Sequence, residues 1–312
     1  MHFADRLVGA VRRVGNPVLV GIDPRPEDLP PGFLDRFPND RAGVAEAIRE
    51  FGNCIVDVVA AKVAAIKLQS AFYEAYGPEG VQAMHATSHH ARESGLIVII
   101  DGKRNDIGST AEAYARAYLG KVPVGDAFVP SWDADALTVN PYLGGDGISP
   151  FVKVAAREDK GLFVLVRTSN ATAGEFQDLV ADGRPVYRHV ADRVAGWAAP
   201  QRGSSGYSLV GAVVGATYPD QLAELRACMP GVLLLVPGYG TQGARSVDVA
   251  PAFESDGQGA IVNNSRGLCF AYSRAALKSR FASNWQGAIE EALTEMIDDL
   301  ATNTPAAQLK SV

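Results

Sequence analysis

The sequence predicts a single (β/α)8 TIM barrel, an α/β fold, and three observations carry that expectation. Eight short apolar runs recur at regular distance along the 312 residues. A polar turn and a segment with helical spacing of apolar residues follow each run. No shift in composition marks a second domain.

In chain order the runs are PVLVGID (17–23), AAIKLQS (64–70), LIVIIDGK (96–103), ALTVNPY (136–142), LFVLVRTSN (162–170), LVGAVVGAT (209–217), VLLLVPGYG (232–240) and GAIVNNSRG (259–267). They are β-branched and nearly continuous, as parallel strands are when helices cover their outer face. Between them, segments such as VAEAIREFGNCIVDVVA and AEAYARAYLGK repeat apolar residues at helical intervals. An open, doubly wound sheet is the competing arrangement, but eight units favour closure over an open sheet of that width. The barrel is expected over residues 1–300, with 301–312 (ATNTPAAQLKSV) as a polar, frayed tail. The stretches 24–40 and 170–186 are polar and follow strands, which puts them at the mouth where barrel sites are built.

Composition excludes several classes. With 47% hydrophobic and 21% charged residues the chain is neither disordered nor fibrous. Its net charge is −6, and no basic run exceeds Arg12-Arg13, which argues against nucleic acid as a partner. No apolar run approaches the ~20 residues of a membrane span, and the first residues lack a signal-peptide core. Cys54, Cys228 and Cys269 are odd in number and far apart, so they make neither a disulfide framework nor a zinc motif. A cytoplasmic enzyme is the expected class.

In a barrel the C-terminal strand ends share one mouth. Here they carry Asp23, Lys67, Asp101 with Lys103, Asn140, Ser169, Thr217, Gly238 with Gln242, and Arg266. The densest signal is DGKRNDIGST (101–110). Residues i and i+2 of a strand share a face ~6–7 Å apart, so Asp101 and Lys103 are expected to project together, with Asp106 in the loop beyond. Lys67 ends the neighbouring strand, and a lysine inside an apolar run must be paired or solvated. An alternating array Lys67–Asp101–Lys103–Asp106 follows, fixed in position and charge and suited to a reaction that creates or removes charge nearby.

VPGYGTQGA (236–244) contains G-x-G-x-x-G, but the acidic residue expected ~20 positions on in a dinucleotide site is missing. The loops after the last two strands of a barrel often bind phosphate, and Arg266 would add a charged partner there. His85, His89 and His90 share one helical stretch outside the mouth and read as a solvated face rather than a metal site.

The ordered set resembles the orotidine 5′-phosphate decarboxylase family, in its longer bacterial form, from GIDPRP near residue 21 to NNSRG near 267. The matching residues are Asp23, Lys67, Asp101/Lys103/Asp106/Ile107/Thr110, Pro237/Gly238/Gln242/Gly243 and Arg266. The resemblance implies decarboxylation of orotidine 5′-monophosphate to uridine 5′-monophosphate, the last step of de novo pyrimidine nucleotide synthesis, without a cofactor or metal. It implies that Lys103 is the proton donor, that Asp101 lies beside the substrate carboxylate, and that Lys67 and Asp106 complete the array. Asp23 and Lys67 would hold ribose hydroxyls, Ser169 would read the pyrimidine, and Gln242 and Arg266 would hold the phosphate beside Pro237 and Gly238. Asp106 and Thr110 would reach into the partner's site of a homodimer. Asn105, Gly108 and Ala244 depart from residues common in the family (His, Pro and Gly), which touches loop shape rather than charge.

Two alternatives remain at this point. Sugar-phosphate decarboxylases of the same scaffold use magnesium with a carboxylate at the end of strand two, where this chain has Lys67. A non-catalytic barrel binding a phosphorylated ligand would need Gln242 and Arg266 but not Lys103.

Overall fold

In the computed structural model, described for residues 1–240 and 243–311, eight parallel strands close into a barrel. They are β1 Val18–Ile22, β2 Ala65–Gln69, β3 Ile97–Arg104, β4 Ala136–Val139, β5 Gly161–Arg167, β6 Val210–Val214, β7 Leu234–Val236 and β8 Ala260–Asn264. Each pairs with its sequence neighbour, and β1 pairs with β8 to close the ring. All eight expected runs are therefore strands, and the open-sheet alternative falls away. Helices α1 Phe3–Val14, α2 Arg41–Val59, α3 Gly77–Glu93, α4 Gly108–Leu119, α5 Gly145–Arg157, α6 Val186–Ala198 and α7 Pro219–Cys228 precede and separate the strands. A short helix, Ser246–Val249, follows β7, and α9, Trp285–Asn303, comes after β8; the short helix is α8. Among the described residues no helix is long and apolar enough to cross a membrane.

The strands are buried on both faces because their side chains alternate between the barrel interior and the helix layer. Helix α1 closes the lower end of the barrel with Phe3, Ala4, Leu7, Val8, Ala10 and Val11 inward. Phe3 meets Phe163 edge-on, with ring centroids 6.2 Å apart. The 24–40 stretch forms two 3-10 turns, and its Leu29 and Phe33 are buried. Phe33 packs edge-on against Phe51 of α2 and Trp285 of α9, so this stretch is part of the aromatic core on that side.

Three features differ from expectation. Residues 121–130 form an antiparallel hairpin between α4 and β4, and residues 180–185 form a smaller one within the 170–186 stretch. Residues 301–311 are not frayed: α9 continues to Asn303, and a 3-10 turn over Pro305–Ser311 buries Ala306 and Leu309. Finally, β3 departs from regular geometry at its functional end. Ile100 pairs with Leu137 and Arg104 with Val139, so β3 takes four steps where β4 takes two. Asp101 and Lys103 still reach one cavity and pair there, as expected, but across a register irregularity rather than along a regular strand.

Candidate active site

A cavity of about 420 Å³ opens at the C-terminal end of the barrel. Asp23, Lys67, Asp101, Lys103, Ser169, Pro237, Gly238 and Arg266, all anticipated from the sequence, line it. Gln242 lies outside the described residues.

Register explains how the charged end is assembled. Gly21 of β1 sits beside Lys67 of β2, and Gln69 of β2 sits beside Asp101 of β3. Gly21 is the side-chain-free position that admits β8: a Cβ there would lie 2.0 Å from Ser265 Oγ and 2.9 Å from Asn263 Oδ1. Two residues further on, Asp23 enters the mouth, with its Oδ1 3.9 Å from Lys67 Nζ.

Asp101 is the centre of the site. Its Oδ2 accepts from Lys67 Nζ at 2.9 Å and from Gln69 Nε2 at 2.8 Å. Its Oδ1 accepts from Lys103 Nζ at 2.7 Å and from Thr138 Oγ1 at 2.8 Å. Both carboxylate oxygens are therefore held by two donors each. Asp101 and Lys67 are buried, at 7% and 4% exposed, whereas the Lys103 side chain is 45% exposed and faces the open cavity. Burial alone would raise the Asp101 carboxyl, but the charges of Lys67 and Lys103 and the hydrogen bonds overcome it and hold it well below the usual range. Burial would likewise lower Lys67, but Asp101 and Asp23 outweigh it and raise the ammonium above its ordinary value.

The irregular end of β3 aims Lys103. Its φ is +45°, a left-handed conformation that a lysine seldom adopts. Its backbone N–H, freed from the strand ladder, donates to Thr138 Oγ1 at 2.9 Å. Thr138 thus joins the main chain of Lys103 to the carboxylate that pairs with its side chain. Neither Gln69 nor Thr138 was singled out from the sequence.

The expected array is only partly formed within one chain. The alternation runs Asp23–Lys67–Asp101–Lys103. Asp106 does not line the cavity; its Oδ1 accepts from the backbone N–H of Ile107, in the turn before α4. Thr110 is exposed on the first turn of α4, also away from this cavity.

At the opposite side of the mouth, Pro237 and Gly238 leave β7, and Gly238 has φ +108°, a conformation open to glycine. Arg266 begins a short helix, Arg266–Cys269, directly after β8. It is exposed and lines the same cavity. A guanidinium and the backbone of a glycine loop at one end, and a lysine–aspartate array at the other, suit an elongated ligand with an anionic terminus. The histidines on α3 face outward: His85 bonds to the Ser131 carbonyl, His90 pairs with Asp57 and His89 with Glu93. Among the described residues no group of three or more His, Cys, Asp or Glu side chains is gathered to hold a metal ion.

A closed (β/α)8 barrel that carries a lysine–aspartate array and an end suited to an anion at its mouth is the class of protein that the fold and site define. The family model for the orotidine 5′-phosphate decarboxylase / HUMPS family matches residues 17–279. An orotidine 5′-phosphate decarboxylase of Rhodopirellula baltica is 47% identical over 302 residues, covering 96% of this chain and 99% of that protein. Its counterpart in Caldicellulosiruptor saccharolyticus is 40% identical over 276 residues, covering 87% and 90%. Among solved structures, OMP decarboxylase of Leishmania donovani superposes with a TM-score of 0.69 at 31% identity, covering 93% of this chain and 99% of that one. The chain belongs to the orotidine 5′-phosphate decarboxylase / HUMPS family.

Proposed function

We propose that this chain is a carboxy-lyase that converts orotidine 5′-monophosphate to uridine 5′-monophosphate, the closing step of pyrimidine nucleotide synthesis. The observation that carries the reading is the Lys103 ammonium, held 2.7 Å from a buried Asp101 and facing a cavity whose far end carries Gly238 and Arg266. Family membership, with full-length relatives of that name, supports it.

The chemistry follows from the residues. Breaking the C6–carboxylate bond releases CO2 and leaves the electron pair on C6. A positioned ammonium stabilises that developing charge and then delivers its proton to C6, leaving Lys103 as a neutral amine. The exposed flank of Lys103 lets solvent return the proton. Asp101 keeps Lys103 cationic and aimed before substrate arrives, while Lys67, Gln69 and Thr138 keep Asp101 ionised and still. Asp23 and Lys67 hold ribose hydroxyls, and Ser169 meets the pyrimidine. Arg266, with Gln242 and the Pro237–Gly238 loop, grips the phosphate. These remote contacts supply binding energy that orients C6 against Lys103.

The functional unit in this reading is a homodimer in which Asp106 and Thr110 complete the partner's array. Its support is the apolar surface around them: Ile107 is 55% exposed, Tyr142 84% and Leu143 44%. The carbonyl of Asp106 approaches Gly147 at the start of α5, so the turn before α4 and the start of α5 form one face. The reaction needs no cofactor or metal, and the enzyme works in the cytoplasm. A magnesium-dependent sugar-phosphate decarboxylase fits less well, because the buried Lys67 ammonium stands where that chemistry needs a carboxylate.

The test is the ultraviolet absorbance of orotidine 5′-monophosphate mixed with purified protein, with and without a chelator. Loss of the orotate band at equal rates in both is the expected result. A folded protein that leaves the band intact, or one silenced by the chelator, overturns the reading.

A further inference from the structure

We infer that Arg167, a buried cation outside the cavity, is the positioning residue for Ser169 and sets the direction in which Ser169 meets the base of the nucleotide. The inference rests on the proposed role of Ser169.

Arg167 ends β5, and its side chain is 1% exposed. A buried guanidinium is tolerated only when its N–H fork is filled. Here Nε donates to Gln221 Oε1 at 2.6 Å, and the two terminal nitrogens donate to Gln177 Oε1 at 3.1 Å and Asp178 Oδ2 at 3.2 Å. The ring of Tyr218 lies against the cation, 4.5 Å from its centroid. Gln177 and Asp178 belong to the polar stretch that leaves β5, so the guanidinium ties the far side of that loop to the strand that launches it.

Gln177 passes the constraint forward. Its Oε1 also accepts from the Thr168 backbone N–H at 3.0 Å, and its Nε2 donates to Thr168 Oγ1 at 2.7 Å. Thr168 is thereby fixed through main chain and side chain, one residue before Ser169. The other flank is gripped by β6 and its exit. Gly215 N–H donates to the Arg167 carbonyl at 2.8 Å, and Thr217 Oγ1 donates to the Ser169 carbonyl at 3.3 Å. Gly215 makes the close approach possible, because a Cβ there would come within 2.9 Å of Ser169 Cβ. Ser169 therefore points where the Arg167–Gln177–Thr168 network sends it, and it lines the cavity while Arg167 does not.

Arg167→Lys and Gln177→Ala, each alone and each combined with Ser169→Ala, test this. Gln177→Ala leaves Arg167 with Asp178 and Gln221, and so answers the question even if Arg167→Lys fails to fold. Each single variant is expected to lose about tenfold in kcat/KM for orotidine 5′-monophosphate, with less than about twofold further loss once Ser169 is already alanine. Inhibition by ribose 5-phosphate, which carries sugar and phosphate but no base, should stay unchanged. A full additional loss in the Ser169→Ala background overturns the inference, as does a matching weakening of ribose 5-phosphate or no loss at all. If Ser169→Ala itself is harmless, the base-reading role of Ser169 falls and this inference with it. If Ser169→Ala is harmful but the effects add, only the inference falls.

Discussion

The Thr138 hydroxyl donates to Asp101 Oδ1 across the β3–β4 junction at 2.8 Å. Thr138 Oγ1 in turn accepts from the backbone N–H of Lys103, whose left-handed turn would otherwise leave that group without a strand partner. One neutral side chain thus fixes the anion and the main chain of the lysine proposed to deliver the proton.

Removing that hydroxyl should therefore harm turnover more than binding. Thr138→Val is expected to lower kcat by about tenfold, the cost of roughly one hydrogen bond inside a buried network, with KM little altered. Steady-state kinetics decide it: a kcat within about twofold of the native enzyme would show that Asp101 and Lys103 stay aligned without Thr138.

Lys103→Ala should abolish turnover and leave product binding measurable, because proton delivery disappears while the grip on phosphate remains. Titration calorimetry with uridine 5′-monophosphate separates the two effects. Residual decarboxylation near the native rate would take Lys103 out of its assigned role.

For Arg266→Ala the loss should fall mainly on KM, by about 10- to 100-fold, in line with one charged hydrogen-bonding partner. An unchanged KM would remove Arg266 from the phosphate end.

Mixing inactive Asp106→Ala with inactive Lys103→Ala should restore part of the activity if sites are shared between subunits, since some mixed dimers then hold one intact array. Absence of rescue, with subunit exchange demonstrated by mass, would mean that each site is built from a single chain.

The pH dependence of stability carries a sign that can be worked out. Asp101 is depressed below its ordinary 3.8, so its contribution is present above that value and is lost as pH falls through the depressed one. Lys67 is raised above its ordinary 10.5, so its contribution is present below 10.5 and is lost as pH rises through the raised value. Urea unfolding across the acid range should show Asp101→Asn with a flatter dependence than the native chain. Parallel profiles would mean that the carboxylate is no more stabilised in the folded chain than in the unfolded one.

Much of this molecule can be read from its residues, for identifiable reasons. The strands announce themselves as apolar runs because both of their faces are buried, and Lys67, Asp101 and Lys103 stand out because charge is costly at the end of such a run. Gln69 and Thr138 carry no charge and sit in the same runs, so nothing local separates them from ordinary strand residues; their importance exists only across β2–β3 and β3–β4 pairing. The turn at Lys103 is likewise a property of register and of φ rather than of residue type. The 121–130 hairpin is masked by Pro123 and Pro130, which weaken a strand pattern. The last residues look like a free tail because the buried ones described there, Thr304, Ala306 and Leu309, are too few to make a periodic signal.

The pairing of β1 with β8 joins Val18 to Val262, strands from opposite ends of the barrel sequence. During synthesis the first strand must wait, with one row of backbone groups unmatched, until the last emerges. Until then the nascent chain exposes an open sheet edge, the feature that most invites pairing with another chain. It also lacks Arg266, and Gly21 has no β8 to receive. A complete site therefore exists only once the last strand has joined the first, and the interval before ring closure is the period in which the open edge is exposed to other copies.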